Sequence, residues 1–254
     1  MSSTIGWMRK FHRPRAADNP PLVICPHAGG GASTYRPFSK ALSESFDVAV
    51  FQYPGRQDRA RETALRSVTE IAAGAFAEFE RSPLNQGVPV TVFGHSMGSV
   101  VAFEFTRLAE AAGIPVRLLA VSGAVAPWRV VDMPSHPTED EALLDHVGGL
   151  QGTGADVLAN RELMRMALPA LKADYAAFDA YICPKDVVVD APLHAMGGED
   201  DEFVTFGDLY GWQQHATNEI QVTMFDGGHF YLHDQVDAVS ETISAQPVRQ
   251  PVSR

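Results

Sequence analysis

Val88-Pro-Val-Thr-Val-Phe-Gly94-His95-Ser96-Met97-Gly98-Ser-Val-Val-Ala-Phe-Glu-Phe105 decides the fold. Its first six residues are apolar or β-branched and read as a strand. From Ser99 the spacing of apolar residues becomes that of a helix. Gly94-His-Ser-Met-Gly98 joins the two, and Gly-x-Ser-x-Gly between a strand and a helix is the setting of a nucleophile elbow. A turn this tight needs flanking residues without bulk, which Gly94 and Gly98 supply. Ser96 is then driven into a strained conformation with its hydroxyl exposed. The following helix aims its N-terminus at the same point, favouring negative charge there. The backbone N–H of Met97 supplies one oxyanion donor. His95 is adjacent to Ser96 in sequence and packs beside the elbow; adjacency does not make it a base.

Outward from this stretch, short apolar runs recur at 22–25, 48–51, 88–93, 118–121, 192–196 and 220–225. Helix-like stretches fall between them at 35–45, 68–79, 99–112 and 203–216. Alternation of this kind predicts an α/β fold with a mostly parallel central sheet flanked by helices on both faces. One stretch, about 127–185, shows no strand pattern and is expected to be a helical insertion acting as a lid. Thr138-Glu-Asp-Glu141 reads as a capping box at the start of one of its helices. Asn160 can cap another, which Pro169 should kink or split. Residues 1–254 are expected to form one domain, with a flexible, proline-punctuated tail at about 245–254.

Composition narrows the function. Twenty basic against 31 acidic residues give a net charge of −11, a poor match to nucleic acid. No run of 18 apolar residues suits a membrane span. The N-terminus lacks a signal peptide's apolar core, and two cysteines make no disulfide framework. A cytoplasmic monomer is expected. The sequence contains no HExxH or Cys/His cluster, so neither metal nor cofactor is expected.

Three further motifs complete a chemistry. Leu22-Val-Ile-Cys-Pro26-His27-Ala28-Gly29-Gly30-Gly31-Ala-Ser33 is a strand entering a glycine-rich loop. It lacks the lysine of a phosphate-binding loop and the Gly-x-Gly-x-x-Gly of a dinucleotide site. Its position suits a second oxyanion donor, the N–H of Ala28. Near the C-terminus, Ile220-Gln-Val-Thr-Met-Phe-Asp-Gly-Gly228-His229 places a histidine after a strand and a Gly-Gly turn. In the order Ser, Asp, His this is the base, with His233 as runner-up. The orienting carboxylate belongs in Gly197-Gly-Glu-Asp200-Asp201-Glu202. Asp201 is the first choice and Asp200 the second.

With these motifs in place, the chain resembles the type II thioesterases of nonribosomal peptide and polyketide synthesis over about residues 20–240. The resemblance rests on Pro26-His-Ala-Gly-Gly-Gly-Ala-Ser33, Gln52-Tyr-Pro-Gly-Arg-Gln-Asp-Arg59 and Gly94-His-Ser-Met-Gly98. It continues through Leu168-Pro-Ala-Leu-Lys-Ala-Asp-Tyr175, residues 197–204, and Phe225-Asp-Gly-Gly-His-Phe-Tyr-Leu232. It implies an α/β-hydrolase fold with a helical lid. It also implies hydrolysis of acyl or aminoacyl groups from the phosphopantetheine arm of an acyl or peptidyl carrier protein. On the matching positions, Ser96 is the nucleophile, Asp201 the orienter, His229 the base, and Ala28 and Met97 the oxyanion amides. Two positions depart from the pattern. The acidic motif, usually Asp-x-Asp-Pro, reads Glu199-Asp-Asp-Glu202 here, and the arginines common after Ser122-Gly123 are replaced by Ala124-Val125. Carrier proteins are commonly acidic, so docking would need a basic patch; Arg56, Arg59, Arg61 and Arg66 are the candidates. Met164 and Met166 suit a variable acyl pocket.

Overall fold

The computed structural model describes residues 6–150 and 161–245. Seven strands among them form one sheet: β1 Met8–Arg9, β2 Pro21–Cys25, β3 Asp47–Phe51, β4 Val90–His95, β5 Val116–Ser122, β6 Leu193–Gly198 and β7 Gln221–Phe225. Their order is β1-β3-β2-β4-β5-β6-β7. Only β1 runs antiparallel, against β3; every other pairing is parallel.

Strands β2 and β4 are buried along their whole length, because helices cover both faces. Alternate side chains enter opposite cores. Val23, Cys25, Ala49, Phe51, Val90 and Val92 join one apolar cluster. Leu22, Ile24, Val48, Val50 and Phe93 join the other. Helices α2 Val68–Glu80 and α3 Met97–Ala111 cover the first face. Helices α1 Arg36–Leu42 and α7 Val236–Ser244 pair on the second. A strand with two covered faces has no polar side to display, and hence its apolar run does not alternate.

Between β5 and β6 the described chain contains no strand. It makes a 3-10 turn at Pro127–Asp132, then α4 Asp140–Leu150 and α5 Arg161–Asp179. Leu143, Leu144, Leu168, Leu171 and Tyr175 give these helices a small core of their own, and Ala28 packs against it. Helix α5 runs on through Pro169, so of the expected kink or split the split does not occur. Helix α4 opens at Asp140, with the Glu139 carbonyl accepting from Leu143 N at 2.9 Å. Its cap therefore falls one residue beyond Thr138. Asn160 and the side chains of Met164 and Met166 lie outside the described residues, as does the tail beyond Ala245.

Three elements differ from the sequence reading. The two-residue β1 is too short to carry a periodic signal. Helix α7 follows a 3-10 turn at Tyr231–His233 and buries only Val239, Ser240 and Ile243, so its apolar stripe is narrow. The stretch 203–216 divides into α6 Phe206–Tyr210 and a 3-10 segment at Gly211–His215. A capping box between Thr205 and Asp208 starts it late.

Candidate active site

Ser96 sits between β4 and α3 with φ 54° and ψ −127°, a left-handed conformation that costs a serine energy and persists only where its surroundings enforce it. Here three parallel strands enforce it. Ser96 N donates to Ser122 O at 2.7 Å. Ser99 Oγ lies 2.9 Å from both Gly94 O and Ser122 O and shares its one hydrogen between them. A Cβ at Gly98 would collide with the Cys25 carbonyl, and one at Gly94 with the Gly98 carbonyl. Both contacts are with backbone, which cannot swing aside. Gly98→Ala is therefore expected to lose about 3 kcal/mol or more of stability, visible as a large fall in the thermal midpoint; a midpoint within 2 °C of the parent's, by a ~1 kcal/mol threshold, would contradict this close packing.

The loop after β2 lies against the elbow. Ala28, Gly29 and Ser96 line one side of a cavity of about 130 Å³. Met97 is the first residue of α3, so its amide is among those that helix geometry leaves unpaired. Gly29 adopts φ 72°, which turns the loop back on itself. The loop is held at several points. Gly29 N donates to Asp174 Oδ2 at 2.7 Å. Arg56 Nη1 reaches Gly30 O at 3.4 Å. Ala32 N donates to Gln52 Oε1 at 2.6 Å, and the His27 N–H to the Tyr35 hydroxyl at 3.2 Å.

The structure brings together Asp201 and His229 from loops at the ends of β6 and β7. His229 Nδ1 lies 2.8 Å from Asp201 Oδ2. Asp201 Oδ1 accepts from Phe203 N at 2.9 Å and Val204 N at 3.2 Å. A carboxylate only accepts, so Nδ1 carries the hydrogen and Nε2 has the lone pair when the ring is neutral. The neighbouring acids Glu199 and Asp200 are exposed, whereas the Asp201 side chain is fully buried. His229 and Ser96 line a second cavity, of about 340 Å³, walled largely by apolar residues such as Val125, Met133, Phe178 and Phe203. His233 does not meet Asp201; it stacks on Phe230 with ring centroids 5.7 Å apart. His95 bonds Ser122 Oγ through Nδ1 at 2.9 Å and is buried in β4.

A family model described as a thioesterase domain matches residues 20–246. The solved structure of the type II thioesterase BorB from the borrelidin biosynthetic cluster is 38% identical. It superposes with a TM-score of 0.83 over 97% of this chain and 100% of its own. The chain belongs to the type II thioesterase family. Thioesterase PikA5 of Streptomyces venezuelae is 38% identical over 240 residues, 94% of this chain and 84% of that one. Phenyloxazoline synthase MbtB of Mycobacterium tuberculosis is 40% identical over 241 residues. The match covers 94% of this chain but only 17% of the synthase.

In this thioesterase the candidate four-arginine patch does not form. Arg56 and Arg59 are buried, and only Arg61 and Arg66 are exposed. Arg56 grips Asp174 with both terminal nitrogens, Nη1 to Oδ2 at 2.6 Å and Nη2 to Oδ1 at 2.8 Å. Arg59 donates to Gln52 O at 2.8 Å, pairs with Glu62 and covers the Trp7 ring. Sequence reading treated both as surface charge, since the groups that bury them, Asp174 for Arg56 and the Gln52 carbonyl and Trp7 ring for Arg59, carry no local signal. The segments carrying the family resemblance nevertheless contained both halves of the pair: Tyr53-Pro-Gly-Arg56 and Pro169-Ala-Leu-Lys-Ala-Asp174 meet at the glycine-rich loop after β2. Among the described residues no cluster of His, Cys, Asp and Glu could hold a metal, and no helix is long and apolar enough to cross a membrane.

Burial sets three of the thioesterase's histidines, His27, His95 and His194, apart from ordinary ones. His27 is lowered to about 3, mainly by burial and then by His233 and His229. His194 is lowered to about 4 by burial, and His95 falls well below the usual range for the same reason. Below pH 6.5 the unfolded chain protonates these rings while the native state does not. Native stability is thus complete above pH 6.5 and declines as pH falls toward 4, each ring adding up to about 1.4 kcal/mol per pH unit. Urea midpoints measured at pH 7.5, 6 and 5 should fall steadily below 6.5; a flat series would show that these rings protonate in place.

Proposed function

We propose that the protein hydrolyses acyl or aminoacyl thioesters on the phosphopantetheine arm of carrier proteins, through a serine nucleophile and an acyl-enzyme intermediate. The observation carrying this reading is the strained Ser96 facing one cavity with His229, whose Nδ1 is fixed by a buried Asp201. The relatives strengthen it, since PikA5 and BorB are named as thioesterases and BorB comes from a biosynthetic cluster.

Ser96 Oγ attacks the thioester carbonyl while His229 Nε2 takes its proton. Asp201 holds the tautomer and stabilises the imidazolium. The amides of Ala28 and Met97 receive the developing oxyanion, favoured by the N-terminus of α3. Collapse breaks the C–S bond, and the thiolate leaves with the proton from His229. Water, deprotonated by the same ring, then attacks the acyl-serine ester and releases the acid. A thiolate is a good leaving group, so two amides and one base suffice.

The test is intact-protein mass spectrometry of an acetyl-loaded carrier domain. Wild-type enzyme should remove the acyl mass. If the carrier stays loaded while small esters are cleaved, hydrolysis stands and the carrier-protein substrate falls.

A further inference from the structure

The cavity containing Ser96 and His229 is also lined by His136 and His146, and His136 belongs to a second histidine–carboxylate pair. His136 Nδ1 lies 2.6 Å from Asp179 Oδ1, and His136 N donates to Asp179 Oδ2 at 2.9 Å. The ring stacks on Tyr175 with centroids 3.7 Å apart and planes at 13°. His146 stands edge-on to it, centroids 5.2 Å apart. A row of rings links this pair to the catalytic end: His146 lies 5.6 Å from Phe203, and Phe203 lies 6.5 Å from His229.

The tautomer follows from the partner. Asp179 only accepts, so His136 Nδ1 carries the hydrogen, and Nε2 has a lone pair when the ring is neutral. Burial pushes His146 below the ordinary histidine range, and a neutral ring offers one donor and one acceptor. Among the described residues, nothing bonds His136 Nε2 or either ring nitrogen of His146. Both imidazoles line a cavity whose described walls include no lysine, arginine, aspartate or glutamate. A chain that fills the cavity displaces solvent from these nitrogens, and polar groups desolvated without a partner are costly. A carboxylated chain would meet no lysine or arginine among the described walls of this cavity, and an unsubstituted chain would leave both rings unpaired. A hydroxyl, which donates once and accepts as well, matches an acceptor beside a donor.

We infer that His136 and His146 form a subsite for a hydroxyl group on the acyl chain, making them specificity-determining residues. This rests on the reading that Ser96 cleaves acyl thioesters. The probes are the pantetheine thioesters of 3-hydroxyhexanoic, 5-hydroxyhexanoic and hexanoic acids. Wild-type kcat/KM should favour at least one hydroxylated ester about tenfold, the value of one well-made hydrogen bond. His146→Leu, which breaks no bond among the described residues, and His136→Phe, which keeps the stack on Tyr175, should each bring that ratio close to one. A packing role alone would lower all the rates together and leave the ratio unchanged. A wild-type ratio near one, or a ratio that survives both substitutions, overturns the subsite while leaving thioester hydrolysis standing. Failure to cleave any of the three esters overturns both readings.

Discussion

Replacing Ser96 with alanine is expected to lower kcat on any thioester substrate by about 10⁵-fold, or about 7 kcal/mol of transition-state stabilisation. Without the hydroxyl no acyl-enzyme can form, and His229 has nothing to deprotonate but water. Some acceleration should survive, because the Ala28 and Met97 amides still favour an oxyanion. Stability should not fall, since Ser96 holds a strained φ of 54° and its side chain makes no hydrogen bond required by the turn. Stopped-flow detection of released thiol, with a thermal melt alongside, tests both halves. A variant that keeps more than about a hundredth of the activity, by the ~10⁵-fold scale above, would remove Ser96 as nucleophile. A variant that loses activity and melts early would show a collapsed elbow instead.

The second large effect is expected at Asp174. This carboxylate is fully buried on α5 and accepts from both terminal nitrogens of Arg56 and from Gly29 N. Asp174→Ala leaves a buried guanidinium unpaired, at a cost of about 3–5 kcal/mol or a fall of about 10 °C in the thermal midpoint. It also frees the loop whose next amide, that of Ala28, is proposed to bind the oxyanion. Loss of one well-placed donor costs about 10²-fold or more in kcat. Stability and catalysis can be separated by the double substitution Arg56→Met with Asp174→Leu, which removes both charges together. The thermal midpoint should largely recover, because no unpaired charge remains. The kcat should stay low, because Gly29 N still lacks its acceptor. Recovery of kcat along with the midpoint would reduce the pair to a purely stabilising role.

Part of this architecture could be read directly. The six apolar runs each became a strand within a few residues of the expected position, because a parallel strand covered on both faces has no choice but to be apolar throughout. The elbow was legible because its constraints are local: two glycines, one serine, a strand before and a helix after. His229 followed from a strand and a Gly-Gly turn. Helix α7 gave a weaker signal, since only three of its residues are buried. Helix α5 passed through Pro169 without the split that was one of the two expected outcomes, because contacts from Leu168, Leu171 and Tyr175 hold it together.

What the sequence determined by itself was therefore whatever short-range sterics and patterning dictate: the class of sheet, the serine turn, the glycine-rich loop and the order of the three candidate groups. Tertiary structure alone decided the rest. Among four consecutive acids, only the fold shows that Asp201 faces His229, because burial and a 2.8 Å contact depend on where β6 and β7 end relative to each other. Arg56 reads as surface charge until a residue 118 positions away is brought against it. His136 and Asp179 form a pair only once α5 packs across the cavity. In each case the group's chemistry is set by a partner distant in sequence. A charge's meaning depends on its partner and its solvent, and neither is written in the residues beside it.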